Sequence, residues 1–147
     1  MAFARLTRSP IDLAALQARV KTNECGGYVT FAGDVRNNVS GKPVIALSYE
    51  AYETLAAKEL LRLAQEAEDG FGTICAIEHR LGPIPIGETA VAIVTASAHR
   101  AQAFEACRWL IDTIKVTVPI WKHETYEDGT YWIEGEQAIR CEEMDQL

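Results

Sequence analysis

"TAVAIVTAS", Thr89–Ser97, carries apolar or small side chains on both of its alternating faces and no charge. A strand with this pattern belongs in the middle of a sheet, with a layer packed on each side. The flanking sequence contains such layers. Downstream, "AHRAQAFEACRWLIDTIK" repeats apolar residues at helical spacing, with Phe104, Cys107, Ile111 and Ile114 as its predicted buried stripe. Upstream, "TICAIEHRLG" is a strand entering a Gly-Pro loop. Before it, "ETLAAKELLRLAQEAEDG" is the clearest helix, with Leu55, Ala56, Leu60, Leu63, Ala64 and Ala67 on one stripe and Gly70 available to stop it.

Further out, "CGGYVTFAGDVR" and "VIALSYEAY" are strand-like, separated by "NNVSGKP", a loop by composition. Gly26, Gly27 and Gly33 predict a turn entry and a bulge or close backbone approach. "SPIDLAALQARV" predicts a first helix, with Ser9 as N-cap and Pro10 at its first position. "KVTVPIWKHE", Lys115–Glu124, reads as a strand, forming a hairpin with "TYWIEG" around Asp128-Gly129. Pro119 predicts that this strand is an edge or bulged, and an open apolar edge predicts an oligomer. The acidic tail from Glu134 gives no clear pattern. The predicted class is α+β, one domain over residues 1–147.

With 147 residues, 48% apolar, the chain can bury a real core. A formal charge of −7 argues against general nucleic-acid or membrane-surface binding, while allowing a local basic pocket. No apolar run approaches the ~20 residues of a membrane span, and the N-terminus lacks a signal-peptide core, so a cytoplasmic protein is expected. Cys25, Cys75, Cys107 and Cys141 form no CxxC pair, which argues against zinc or thioredoxin-like chemistry; Cys75 and Cys107 read as buried hydrophobes. No P-loop, dinucleotide fingerprint or Gly-x-Ser-x-Gly is present.

Cations mark the second strong helix and the strand after it. Ser97 as N-cap would place the amides of His99 and Arg100 in a first turn that lacks intrahelical partners. A helix N-terminus favours anions, so His and Arg there suit either a solvated helix start or an anionic ligand shared with the backbone. At about 100° per residue, Arg100 falls in line with the predicted stripe and Lys115 at its margin, both leaning toward the core. They stand about four turns apart, so one pocket touching both needs other elements or a second subunit. Along the next strand, Val116, Val118, Ile120, Lys122 and Glu124 would share a face. Lys122 and Glu124 are then either a surface ion pair worth ~0–1 kcal/mol or a partly desolvated lysine held by a carboxylate. Arg36 ends a strand. His79 and Arg80, before Gly82-Pro83, read as loop packing.

The ordered set "FAGDVRN", "LSYEAY", "EHRLGPIPIGE", "SAHRAQAFEACRWLIDTIK" and "VPIWKHE" resembles the large, catalytic subunit family of molybdopterin synthase, from about Gly26 to Glu134. The resemblance implies an α/β hammerhead fold with a mixed or antiparallel sheet, a homodimer, and a small ubiquitin-like sulfur carrier bound at each end to make a heterotetramer. It implies sulfurtransferase activity: two sulfurs pass from the carrier's C-terminal Gly-Gly thiocarboxylate to cyclic pyranopterin monophosphate, forming the dithiolene of molybdopterin. No bound cofactor and no metal are implied. By motif, Lys115 is the first catalytic candidate and Lys122 the second. Arg36, His99 and Arg100 match positions that bind the anionic substrate, and His123 and Glu124 lie in the matching Lys-x-Glu segment. His123 stands where the family often has a basic residue, and imidazole is only partly charged near neutral pH. The alternatives are a non-catalytic binder of a phosphorylated pterin or ubiquitin-like partner, and a hydrolase of cyclic phosphates.

Overall fold

The computed structural model describes residues 2–133 and 139–140. In chain order the elements are β1 (Phe3–Thr7), α1 (Leu13–Ala18), β2 (Gly27–Asp34), β3 (Asn38–Val39), β4 (Lys42–Ala51), α2 (Glu53–Phe71), β5 (Ile74–Arg80), β6 (Gly82–Pro83), β7 (Thr89–Ser97), α3 (Arg100–Thr117), β8 (Ile120–Tyr126), β9 (Tyr131–Ile133) and β10 (Ile139–Arg140). They build two sheets, and the α+β class stands. The first is mixed, ordered β1-β5-β7-β2, with β1 and β5 parallel and the other pairs antiparallel. The second is antiparallel, ordered β10-β9-β8-β4-β3, with β6 added on β4.

The apolar run at Thr89–Ser97 is central, as its composition requires. Val91 and Ile93 pack with Cys75 and Ile77 under α2 and α3, against Leu60, Leu63, Leu110 and Ile114. Ala92, Val94 and Ala96 turn the other way, toward Leu16 and Val20 at α1. Each of the large aliphatic side chains buried here contributes about 1.5–3 kcal/mol. Thr95, also fully buried, donates its hydroxyl to the Ala103 carbonyl at 2.7 Å, tying β7 to α3.

Several local expectations are corrected by packing. The cap of α1 is Asp12, whose carboxylate accepts from the Ala15 amide at 3.1 Å, while Ser9 and Pro10 lie before the helix. The stretch β1, unmarked in the sequence, becomes a strand by pairing with β5. α2 runs through Gly70 and ends at Phe71, with Gly72 in the left-handed region at φ 68°. Leu55 is 58% exposed and off the buried stripe. "NNVSGKP" is a tight β3–β4 hairpin in which Ser40 and Gly41 both have positive φ.

"KVTVPIWKHE" is not one strand. Lys115–Thr117 form the last turn of α3, and β8 begins at Ile120. The buried pair Ile114 and Val118, joined by a 3.2 Å bond from the Val118 amide to the Ile114 carbonyl, extends the helical contact and overrides β-branched propensity. Val116 is therefore helical and 84% exposed, not part of the strand face. Pro119 lies before β8, which is paired on both sides by β4 and β9 and is not an edge; the irregular register is in β4, between Val44 and Ala46. The Asp128-Gly129 hairpin is present, with Gly129 at φ 87° and the Tyr126 amide bonded to the Thr130 carbonyl at 2.9 Å. Gly33 stands at a register shift, and Gly26 is pressed against the Ala98 carbonyl, so both glycine expectations hold. The tail from Glu134 and Cys141 lie outside the residues whose side chains are described.

Candidate active site

Strand alternation puts Ile120, Lys122, Glu124 and Tyr126 on one face of β8. Ile120 packs on the core beneath α2 and α3. Glu124 stands across from Leu47, which is buried with Val35, Ile84 and Ala90. Lys122 lies between these two apolar clusters, opposite Tyr49. Its ammonium is 3.1 Å from Glu124 Oε1, with the lysine side chain 23% exposed and the glutamate side chain 5%. The other carboxylate oxygen accepts the Tyr126 hydroxyl at 2.9 Å. This is not a solvated surface pair: the anion is interior and only the cation reaches water.

Tyr49 links this row to the first sheet, its ring meeting His79 edge-on at 4.9 Å between centroids. His79 and Arg80 are not loop residues. They end β5 and are buried. Burial pushes the His79 imidazole down to about 4, so it is neutral near pH 7, and its Nδ1 bonds the Arg80 carbonyl at 2.9 Å. Arg80 pairs with Glu88 at 2.8 Å.

Lys115 occupies the last turn of α3, where a cation suits the helix dipole. Its side of the helix differs from the one the wheel predicts. The buried face consists of Ala103, Ala106, Cys107, Leu110 and Ile114. Phe104, Ile111 and Lys115 sit about 80–120° round from its centre, and Phe104 is 60% exposed. They border, with Val29 and Phe31 of β2, an open groove of about 450 Å³. Ala103 and Ala106 share the buried face with Leu110 and Ile114, and Phe104 and Ile111 are left on its flank. Arg100 is exposed rather than core-leaning, as is Lys115.

α3 runs alongside β2 in the same direction: Gly27 abuts Arg100, while Phe31 borders the groove with Cys107. Arg36, exposed, lies just past β2 and so stands at the Lys115 end. The chain there is held by the Val35 amide to the Glu88 carbonyl at 3.0 Å and the Val44 amide to the Asn37 carbonyl at 2.8 Å. His99 and Arg100 are at the opposite end, about 22 Å away along the axis. His99, not Ser97, is the N-cap residue, and the Ser97 hydroxyl bonds the His99 carbonyl. His123, exposed, points from the reverse face of β8 and meets Tyr131 edge-on at 5.3 Å. One chain thus brings Lys122 and Glu124 into contact; Lys115 is linked to them through the short α3–β8 connection and borders a groove lined from β2 and α3, while Arg36 lies just past the end of β2. The chain does not bring His99, Arg100 or His123 to them. Tyr126 and Tyr49 are the participants that spacing did not single out. Period-two counting from Glu124 reaches Tyr126, whereas Tyr49 requires the cross-strand register.

Cys75 and Cys107 are buried, and burial pushes both thiols up to about 11, so neither is a ready nucleophile. Among the described residues no group of three or more His, Cys, Asp or Glu could hold a metal ion. Among them, too, no helix is long and apolar enough to cross a membrane.

Comparison with known proteins agrees with this architecture. The family model described as "MoaE protein" matches residues 6–117. The chain is 42% identical over 137 residues to a molybdopterin synthase catalytic subunit of Pyrococcus abyssi, covering 91% of this chain and 93% of that one. It is 43% identical over 133 residues to the Bacillus subtilis protein of the same name, covering 90% and 84%. The crystal structure of molybdopterin synthase from Staphylococcus aureus superposes with a TM-score of 0.84 at 36% identity, covering 89% of this chain and 96% of that one.

Proposed function

This chain belongs to the MoaE protein family, and from that premise we propose that it is the catalytic subunit of a molybdopterin synthase. It is a sulfurtransferase that moves two sulfurs from the C-terminal thiocarboxylate of a small ubiquitin-like carrier to cyclic pyranopterin monophosphate. The product carries a dithiolene. Both reactants are anions, so their encounter requires local positive charge in a chain of net charge −7.

The observation that carries the chemical part is the Lys122–Glu124 pair, sheltered on its carboxylate side and open on its ammonium side. An ammonium with its position set by a buried partner is pre-oriented for a negative charge that develops nearby. Lys115, seven residues earlier and exposed in the last turn of α3, supplies the mobile amine. Opening the cyclic phosphate and losing oxygen from carbon each need a proton or charge at the departing oxygen, and Lys115 is assigned that task. Arg36 holds the phosphate from the same end. Sulfur arrives on the carrier, consistent with two cysteines buried as thiols.

His99 and Arg100 lie too far along α3 to serve the same pocket within one chain. Their roles as substrate ligands are met in a homodimer, where the start of α3 from a second copy completes the pocket and a carrier at each end makes a heterotetramer. His123 lies on the far face of β8 from Lys122 and Glu124, against Tyr131. The chain needs no bound cofactor and works in the cytoplasm.

The test is incubation of the purified chain with the pterin precursor and a thiocarboxylated carrier, followed by mass detection of the dithiolene. Dithiolene formation supports the assignment. Binding of both without transfer identifies a non-catalytic binder, and ring opening without a sulfur donor identifies a cyclic phosphate hydrolase.

A further inference from the structure

A buried carboxylate is held only as firmly as the donors on its two oxygens. Glu124 has Lys122 on Oε1 at 3.1 Å and the Tyr126 hydroxyl on Oε2 at 2.9 Å. Residues 124 and 126 are on one strand face, roughly 7 Å apart along the strand, so the tyrosine must fold back along β8 to reach the carboxylate. Its ring is itself located. The Lys42 ammonium sits 4.6 Å from the ring centroid, and that ammonium is anchored by Asp128 at 3.1 Å and by the Thr130 hydroxyl at 2.7 Å. Both of those residues belong to the β8–β9 hairpin, whose turn is closed by the Asp128 carboxylate accepting from the Thr130 amide at 3.0 Å. The hairpin, Lys42, Tyr126, Glu124 and Lys122 therefore form one continuous series of polar contacts along β8.

We propose that Tyr126 is a positioning residue for sulfur transfer: by holding one oxygen of Glu124 it fixes the other against Lys122 and so sets where the ammonium points. Without the hydroxyl, the carboxylate can turn about its last torsion, a broad and soft one. The lysine, a quarter open to solvent, then loses the fixed oxygen that set its direction. Charge is still present, but its orientation is lost, and orientation is what a preorganised site contributes. The effect falls on turnover rather than on substrate binding, because a wandering ammonium still attracts an anion at long range.

The inference rests on the role proposed above for Lys122, and the experiment separates the two. Tyr126→Phe and Lys122→Met are assayed in parallel with the pterin precursor and thiocarboxylated carrier, and each is scaled to the folded fraction measured by circular dichroism. Tyr126→Phe is expected to lower kcat about tenfold with KM within twofold of wild type, a split that a merely structural role does not produce. Lys42→Met, which keeps the hydroxyl but loosens the ring, is expected to lower kcat two- to threefold. A kcat within twofold of wild type for Tyr126→Phe, with Lys122→Met impaired, overturns the positioning role alone. A wild-type rate in Lys122→Met overturns the role of Lys122 itself. If Tyr126→Phe does not fold, an unchanged kcat in Lys42→Met overturns the inference and a fall supports it.

Discussion

Replacing Lys122 by Met removes the ammonium and keeps an unbranched chain of similar bulk. At 3.1 Å the pair's attraction is roughly 5 kcal/mol at an effective dielectric of 20, before the opposing desolvation is counted. Two measured regimes bracket the net effect: exposed pairs are worth about 0–1 kcal/mol, and breaking a buried pair costs about 3–5 kcal/mol. Here the carboxylate is 5% exposed and the ammonium 23%, so the lysine's removal strands an interior anion that keeps the Tyr126 hydroxyl but loses its cation. The expected loss is about 2–3 kcal/mol, a fall of about 5–10 °C in Tm for a chain of this size. Glu124→Gln should cost less, about 1 kcal/mol, because the amide still accepts from Tyr126 and the ammonium can turn to water. Urea unfolding monitored by circular dichroism, with an unchanged slope against denaturant, measures both. A loss below 1 kcal/mol for Lys122→Met, or a larger loss for Glu124→Gln, would show that the pair is solvated and refute the sheltered-cation argument.

Lys115→Ala should reduce dithiolene formation at least about 100-fold while moving Tm by under about 2 °C, since the side chain is exposed; a rate within threefold of wild type removes Lys115 from the mechanism. His79 has its pKa lowered by burial to about 4 from 6.5. The unfolded chain therefore binds the proton first as pH falls, and stability present above pH 6.5 is lost down to pH 4, by about 3 kcal/mol. His79→Phe should flatten that slope in unfolding curves taken across the window, and an unchanged slope would assign it to other groups. Gly26→Ala would set a Cβ 2.6 Å from the Ala98 carbonyl oxygen, whereas at Gly27 the closest atom is 3.7 Å away. The first should lose about 1–3 kcal/mol by overpacking and the second under 1, and equal thermal shifts would contradict the close approach.

The buried strand at Thr89–Ser97, the body of α2 and the Asp128-Gly129 hairpin were legible in the chain because each rests on a local rule: unbroken apolarity, a helical repeat, or a turn that needs positive φ. The set of ordered motifs likewise carried the family. What a local rule could not supply is the plane against which a helix settles. α3 turned its alanines inward and its Phe104 and Lys115 toward the edge of β2, because helix orientation obeys the closest fit to the sheet, not the largest side chains. Nor could strand propensity locate the end of α3, since Val118 is drawn into the helix-side core by Ile114 and the sheet beneath it. Charge type and spacing named Lys122 and Glu124, but whether they form a surface pair or a sheltered one depends on Leu47, Tyr49 and the clusters on either side. Those neighbours are distant in sequence, and only the pairing of β4 with β8 brings them alongside.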